Sequence, residues 1–485
     1  MDQTSRASAE GPNDRDSAAS SLSAEAGSSR PAAPRNPPEL TDHSTPISPR
    51  FSISRAPENW RRAANHALAR VASRVSTRSY PGPPSPPPPD GGLKAWTQVA
   101  MGFFVLFSTW GYANSFGAYQ VYYESLLSEL PSTISWIGGI QVFLTLTVGI
   151  VSGRLFDAGY FRSTFVSGSI IQLIGTISMS FSKKYWQLFL TQGVLSGIGA
   201  GIYFTPAVSL VTTYFEKRRG LALGLTTTGN AVGGIVYPLI VRELIPTIGF
   251  AWTTRLIGIL NLVLLSTCLV FMRPRLPPRK SSRVFDVSAF KDLKYTGFLF
   301  ACFFIYWANY YTFYYIGSYG IQALHISVKE ATTLVIIING AGLPFRVLVP
   351  IAADRIGNLN VIAPVAVVWA VVSFTWLAVH DIAGYYAFAA VYGAVAASFQ
   401  CLFPSTVARI TPELDKFGTR LGMAFAVSAV ASLTGPPIGG RIQSAGGGGD
   451  TRRAQIWAGT VTLIAALLFI ALRVHIAGFK LRYKT

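Results

Sequence analysis

Charged side chains are scarce in this chain of 485 residues: Asp, Glu, Lys and Arg together make up 13%. Water-soluble domains carry about 25%, and the deficit falls almost wholly after residue 95. With a mean hydropathy of +0.38, the composition excludes an ordinary water-soluble enzyme. Cysteine is nearly missing. Cys268, Cys302 and Cys401 each lie in an apolar run without metal-ligand spacing, which excludes a disulfide framework and a zinc site. The five histidines (His43, His66, His325, His380, His475) are scattered among tail, loops and helix ends, so no acid–base or metal cluster forms from them. There is no GxxxxGK[ST] loop either, and ATP is not expected to act directly. No enzyme activity, cofactor or metal is expected.

Basic residues are plentiful by comparison: 41 Lys+Arg stand against 22 Asp+Glu, a net charge of +19. That balance fits nucleic acid, an anionic membrane surface, or the inside loops of a membrane protein. Position decides among them.

Residues 1–89 are rich in Ser, Ala, Pro and Arg and end in the proline run 81–89. Such a composition cannot bury a core, and a disordered cytoplasmic tail is expected. The first forty residues hold no continuous apolar stretch, so no signal peptide is expected. Within the tail, Trp60, Ala64, Leu68, Val71 and Val75 recur at helical spacing among Arg61, Arg62, Arg70, Arg74 and Arg78. The pattern fits an interfacial helix on an anionic leaflet, or equally a weakly helical solvated segment.

Beyond Asp90 come apolar runs of the length that crosses a bilayer as helix. Spans 1 to 12 are predicted at 96–118, 134–152, 163–181, 187–213, 220–241, 252–272, 295–318, 331–352, 360–379, 384–408, 419–441 and 455–476. The expected fold is all-α: two pseudo-symmetric six-helix bundles, 90–272 and 295–485, joined by a basic linker at 273–294. Lys and Arg gather in the tail, in the loops after spans 2, 4, 6, 8 and 10, and after span 12. By the positive-inside rule both termini are cytoplasmic. The excess charge then has a topological origin, and nucleic acid is not an expected partner.

The halves repeat. Pro206 and Pro404, Gly224 and Gly422, and Pro238 and Pro436 recur at one common offset, and Asp157 and Asp354 at an offset one residue shorter. Paired halves of this kind suit a transporter that rocks about a site at their interface.

These motifs resemble the major facilitator superfamily, and within it the fungal branch of the monocarboxylate porters. The loop Gly153-Arg154-Leu-Phe-Asp157-Ala-Gly159 is similar to the superfamily's motif between helices 2 and 3, and Asp354-Arg355-Ile-Gly357 to its second-half counterpart. Asp90-Gly91-Gly92-Leu-Lys-Ala-Trp96 resembles the porters' motif before helix 1, and Tyr214-Phe215-Glu-Lys217-Arg218-Arg219-Gly their motif entering helix 5. The resemblance implies a twelve-helix carrier in which Asp157, Arg154, Lys217, Arg218, Arg219, Asp354 and Arg355 gate the cytoplasmic face; plain inside-loop charge explains the same cations. Asp90 is read as a cap for helix 1, at a position that matters for activity in the family. The glycines of span 5 are read as packing positions.

Arg346 carries the expectation about cargo. It lies about 12 Å along span 8 from Asp354, where a charge costs about 2.5–3.5 kcal/mol on the insertion scale. No Asp or Glu lies within the twelve predicted spans to neutralise it. A small organic anion, above all a carboxylate, would do so; snorkelling to the inner surface is the alternative. The resemblance departs here from the animal lactate carriers: Gly342 stands where they have an Asp, and 111–117 in span 1 lacks their Lys. Their proton-coupled mechanism therefore does not carry over intact, and a proton on the cargo's own carboxyl, anion exchange and uniport stay open. Span 7 is crowded with aromatics. Tyr310 and Asn309 there, with Tyr112, Asn114, Asn339, Phe399 and Gln400, are the expected neighbours of Arg346 in a site for a bulky acid; aromatic packing is the other reading of the same residues.

The reading is a secondary active or facilitative carrier of a carboxylated organic solute, working by alternating access in the plasma membrane. An efflux pump for a secondary metabolite or toxin is the alternative, and a non-transporting sensor of the same fold a third.

Overall fold

The computed structural model describes residues 87–278, 286–411, 416–445 and 451–478. The amphipathic stretch at 60–75 lies outside them. Among the described residues every regular element is a helix.

Among the described residues eight helical stretches are long and apolar enough to cross a membrane, and one of them, Arg219–Phe271, contains two of the predicted spans. Spans 5 and 6 are the two helices on either side of Gly249, whose non-helical φ of 77 suits a residue without Cβ and breaks the stretch there. Three more spans fill the twelve-span plan while being less uniformly apolar. Span 3 is Phe161–Met179, and span 7 is the tyrosine-rich Leu293–Leu324. Span 1 runs from Gly92–Leu106 through a π-helical turn at Phe107–Gly111 into Phe116–Leu126. It continues beyond the predicted end at 118 and carries Glu124 with it.

Span 8 is not continuous. Val328–Ala341 stops, Gly342 to Pro344 form a turn, and Phe345–Ile356 begins again. Proline cannot donate the backbone bond that would continue the first helix. The break places Arg346 in the opening turn of the second piece, its amide bonded to the Gly342 carbonyl at 3.2 Å.

Small residues bring the rods together. A methyl group at Gly229 of span 5 would strike the Phe103 carbonyl of span 1, and one at Gly393 of span 10 would strike the Ile338 carbonyl of span 8. A methyl at Gly139 of span 2 would lie 3.1 Å from the Leu433 carbonyl of span 11. Span 5 lies against span 8 in the same way, the two meeting at Gly224 and the Arg346 carbonyl.

The two segments most characteristic in the sequence form one unit. Asp90 does not cap span 1: Gly91 precedes that helix and no side chain caps it. The Asp90 carboxylate instead accepts from the backbone amides of Glu216 and Lys217, at 2.5 and 2.9 Å, while its own amide donates to the Tyr214 carbonyl. Asp90 has a φ of 49, a left-handed conformation that Asp tolerates better than most residues. These amides, Glu216's first, hold its carboxyl below the usual carboxylate range. Trp96 packs on Phe215 with ring centres 5.2 Å apart. Start of span 1 and start of span 5 are thus clasped together.

Candidate substrate site

A cavity of about 1250 Å³ runs between the first six spans and the last six. Its mouth is lined by Arg154, Asp157, Arg219, Asp354 and Arg409, so it opens at the end that carries the basic loops. Its depth is lined by Asn230, Tyr306, Tyr310, Arg346, Gln400 and Cys401.

The far end is shut. Phe116 and Tyr314 meet with ring centres 4.7 Å apart, and Gly117 abuts the Phe313 carbonyl. One turn further on, the Ser318 hydroxyl donates to Glu124 at 2.9 Å. Arg242 of span 5 donates to Thr333 of span 8 at 2.9 Å on the same side. Aromatic contact and hydrogen bonds together close the seam between spans 1 and 7 and between spans 5 and 8.

Arg346 is 4% exposed. Its Nη2 donates to the Gln400 Oε1 at 3.1 Å, while its Nε has no partner. Among the described residues no carboxylate pairs with it. A neutral amide orients the guanidinium without cancelling its charge. Tyr306 and Cys401 flank it, so the positive centre sits in a wall that is otherwise aromatic and weakly polar.

The structure gathers some of the predicted neighbours and not others. Arg346, Tyr310 and Gln400 line the cavity. Asn114 stands behind the wall and donates to Asn230 at 2.8 Å. Asn339 donates to the Val335 carbonyl and turns its unpartnered Oδ1 toward Gly234. Asn309 is buried with neither amide atom bonded. Tyr112 lies in the core of the first half, stacked edge-on with Tyr119 and Tyr237. Phe399 lies in the core of the second half, against Trp369 and Phe469. Of the gating residues, Arg154, Asp157, Arg219 and Asp354 line the mouth, whereas Lys217, Arg218 and Arg355 are exposed. Asp354 stands beside the start of span 5, its Oδ2 3.2 Å from where a methyl on Gly220 would be.

Sequence reasoning passed over Asn230, Thr227 and Cys401. Thr227 and Cys401 meet across the seam at 3.9 Å. Their signal was their place, in spans 5 and 10 close to the repeated Gly224 and Pro404; their chemistry alone is that of ordinary helix interiors.

Residues 99–413 match the model of the Major Facilitator Superfamily. The chain belongs to that superfamily. It is 40% identical over 391 residues to an MFS-type transporter of Gibberella zeae, covering 80% of this chain and 88% of the relative. The aspyridones efflux protein apdF of Emericella nidulans is 34% identical over 390 residues, covering 80% of this chain and 79% of its own. Among solved structures, a mutant of the nucleoside transporter NupG superposes with a TM-score of 0.63 at 13% identity, over 78% of this chain and 99% of that one. At that identity the likeness is one of fold. The protein is a multi-pass membrane transporter of major facilitator type and not an enzyme.

Proposed function

We propose that the protein exports a bulky carboxylated metabolite from the cytosol, the halves 90–272 and 295–485 rocking about the cavity in alternating access. The observation that carries this reading is Arg346, a buried guanidinium at the cavity wall whose charge no acid among the described residues balances. An anionic cargo completes it. The volume of about 1250 Å³ and the flanking Tyr306 and Tyr310 suit a solute much larger than lactate. The relative named as an aspyridones efflux protein supports the outward direction. The basic loops around the mouth support a cytoplasmic entrance and cytoplasmic termini, with the plasma membrane as the site of export.

The test is counterflow of naphthoate, as a model aryl carboxylate, in proteoliposomes with and without an imposed pH gradient. Saturable flux lost in Arg346→Ala, with insertion retained, supports the reading. Full flux in that variant removes Arg346 as anchor, and saturable binding without any flux favours a sensor. A response to the gradient separates proton coupling from uniport.

A further inference from the structure

We infer that Asn230 is a second cargo-contacting residue, donating a hydrogen bond to an acceptor oxygen of the cargo, and that Asn114 positions it. The inference rests on the proposed anion site at Arg346 and extends it to a two-point site, with one contact from each half.

Asn230 is only 5% exposed, and it lines the cavity. Asn114, buried behind it in span 1, donates its Nδ2 to the Asn230 Oδ1 at 2.8 Å. That bond uses the acceptor end of the Asn230 amide and fixes which end turns to the cavity. Among the described residues the Asn230 Nδ2 donates to no protein group, yet it is not one of the sealed, unpartnered polar atoms of the interior. A donor left open in this way calls for an acceptor from the cargo.

The pair is not needed to hold spans 1 and 5 together, because Gly229 and Gly233 already bring those backbones into contact with Phe103 and Phe107. The levels fit a single solute. Gly224 faces the Arg346 carbonyl, with 3.4 Å between the latter and the site of a methyl on Gly224, and Thr227 meets Cys401, the neighbour of Gln400. Asn230 lies one turn, about 4.5 Å, beyond Thr227 toward the closed end. A cargo with its carboxylate on Arg346 therefore extends past Asn230, which reads a carbonyl or ether oxygen on its body. The class is an acidic aryl compound with a second, acceptor-only oxygen.

The experiment measures equilibrium binding of ring-substituted methoxynaphthoates against the matching ethylnaphthoates, which have the same size and no acceptor. The full chain is used, in detergent or nanodiscs. In the parent, at least one methoxy isomer binds about 3- to 10-fold tighter than its ethyl counterpart. Asn230→Ala abolishes that ratio, the methoxy and ethyl compounds then binding alike. Asn114→Ala reduces the ratio. Asn114→Asp abolishes it too, because a carboxylate accepts from the Asn230 amino group and turns its carbonyl to the cavity, a reversal that a merely structural role would not produce. No methoxy preference in the parent, or a preference that survives Asn230→Ala, overturns the inference. Absent binding of every naphthoate, or undiminished binding in Arg346→Ala, overturns the anion site itself and with it the two-point reading.

Discussion

Ser318 of span 7 donates its hydroxyl to the carboxylate of Glu124 in span 1 across the seam between the two halves, at 2.9 Å. Gln120, one turn earlier, donates to the same oxygen at 2.7 Å and also to the Pro131 carbonyl. The serine is buried and the glutamate half-buried. This is the polar tie of the seam between spans 1 and 7 at the closed end, next to the Phe116–Tyr314 contact.

Removing that tie should favour opening at the far end. A cysteine placed at Val121, which packs on Gly317 in the same seam, reports it. In a Cys401→Ser background, Ser318→Ala should speed labelling of that cysteine by an impermeant maleimide about 5- to 10-fold, the worth of about 1 kcal/mol. Unchanged labelling would show that the closed end holds without the Ser318 bond.

Gln400 gives a charge test. As the hydrogen-bond acceptor for Arg346, it orients the guanidinium and leaves it positive. Gln400→Glu places an anion where the cargo's carboxylate is needed and should weaken naphthoate binding at least about 10-fold, with stability kept or raised. Gln400→Met should weaken it only a few-fold. Binding by the Glu variant at parental affinity would mean that the cargo does not use Arg346.

Asp90 sets a pH dependence. The amides of Glu216 and Lys217 hold its carboxyl below the ordinary value, so this clasp favours the native arrangement most above the unfolded carboxylate pKa, about 4, and loses that contribution as pH falls through the lower folded value. Hydrogen exchange at Glu216 and Lys217 should therefore be slow at neutral pH and rise on acidification, beyond the intrinsic change in rate. Asp90→Ala should exchange fast at both pH values. Equal protection in the parent and the variant would show that Trp96 on Phe215 suffices.

Asp157 at the mouth and the exposed Arg218 carry the gating proposal. If they attract one another when the basic end closes, the double exchange Asp157→Arg with Arg218→Asp should restore a substantial part of the flux that each single reversal loses. No recovery in counterflow would remove the pair as a latch.

Much of the fold was legible because a bilayer demands runs of about twenty apolar residues and leaves little else to choose. The breaks were not. Pro206, Pro238, Pro350 and Pro404 all lie inside helices, whereas Pro344 follows an interruption, helped by Gly340 and Gly342; proline alone does not tell the two cases apart. In the site, Arg346 stood out because a buried cation is costly. Tyr112 and Phe399 were misplaced because aromatic content does not tell a cavity wall from a helix core, and Tyr112 finds its partners in Tyr119 and Tyr237. Glu124 escaped notice because hydropathy ended span 1 at 118, while backbone hydrogen bonds carry the helix to Leu126.

The interruption at Gly342–Pro344 turns span 8 into a jointed lever. Asn339 rides on the arm that ends at Ala341, and Arg346 on the arm that starts at Phe345. A pivot there would carry the guanidinium with the cytoplasmic arm while the other arm stays seated on Gly234 and Gly393. Under the proposed reading, release of a bound anion would then need no movement of the whole transmembrane rod.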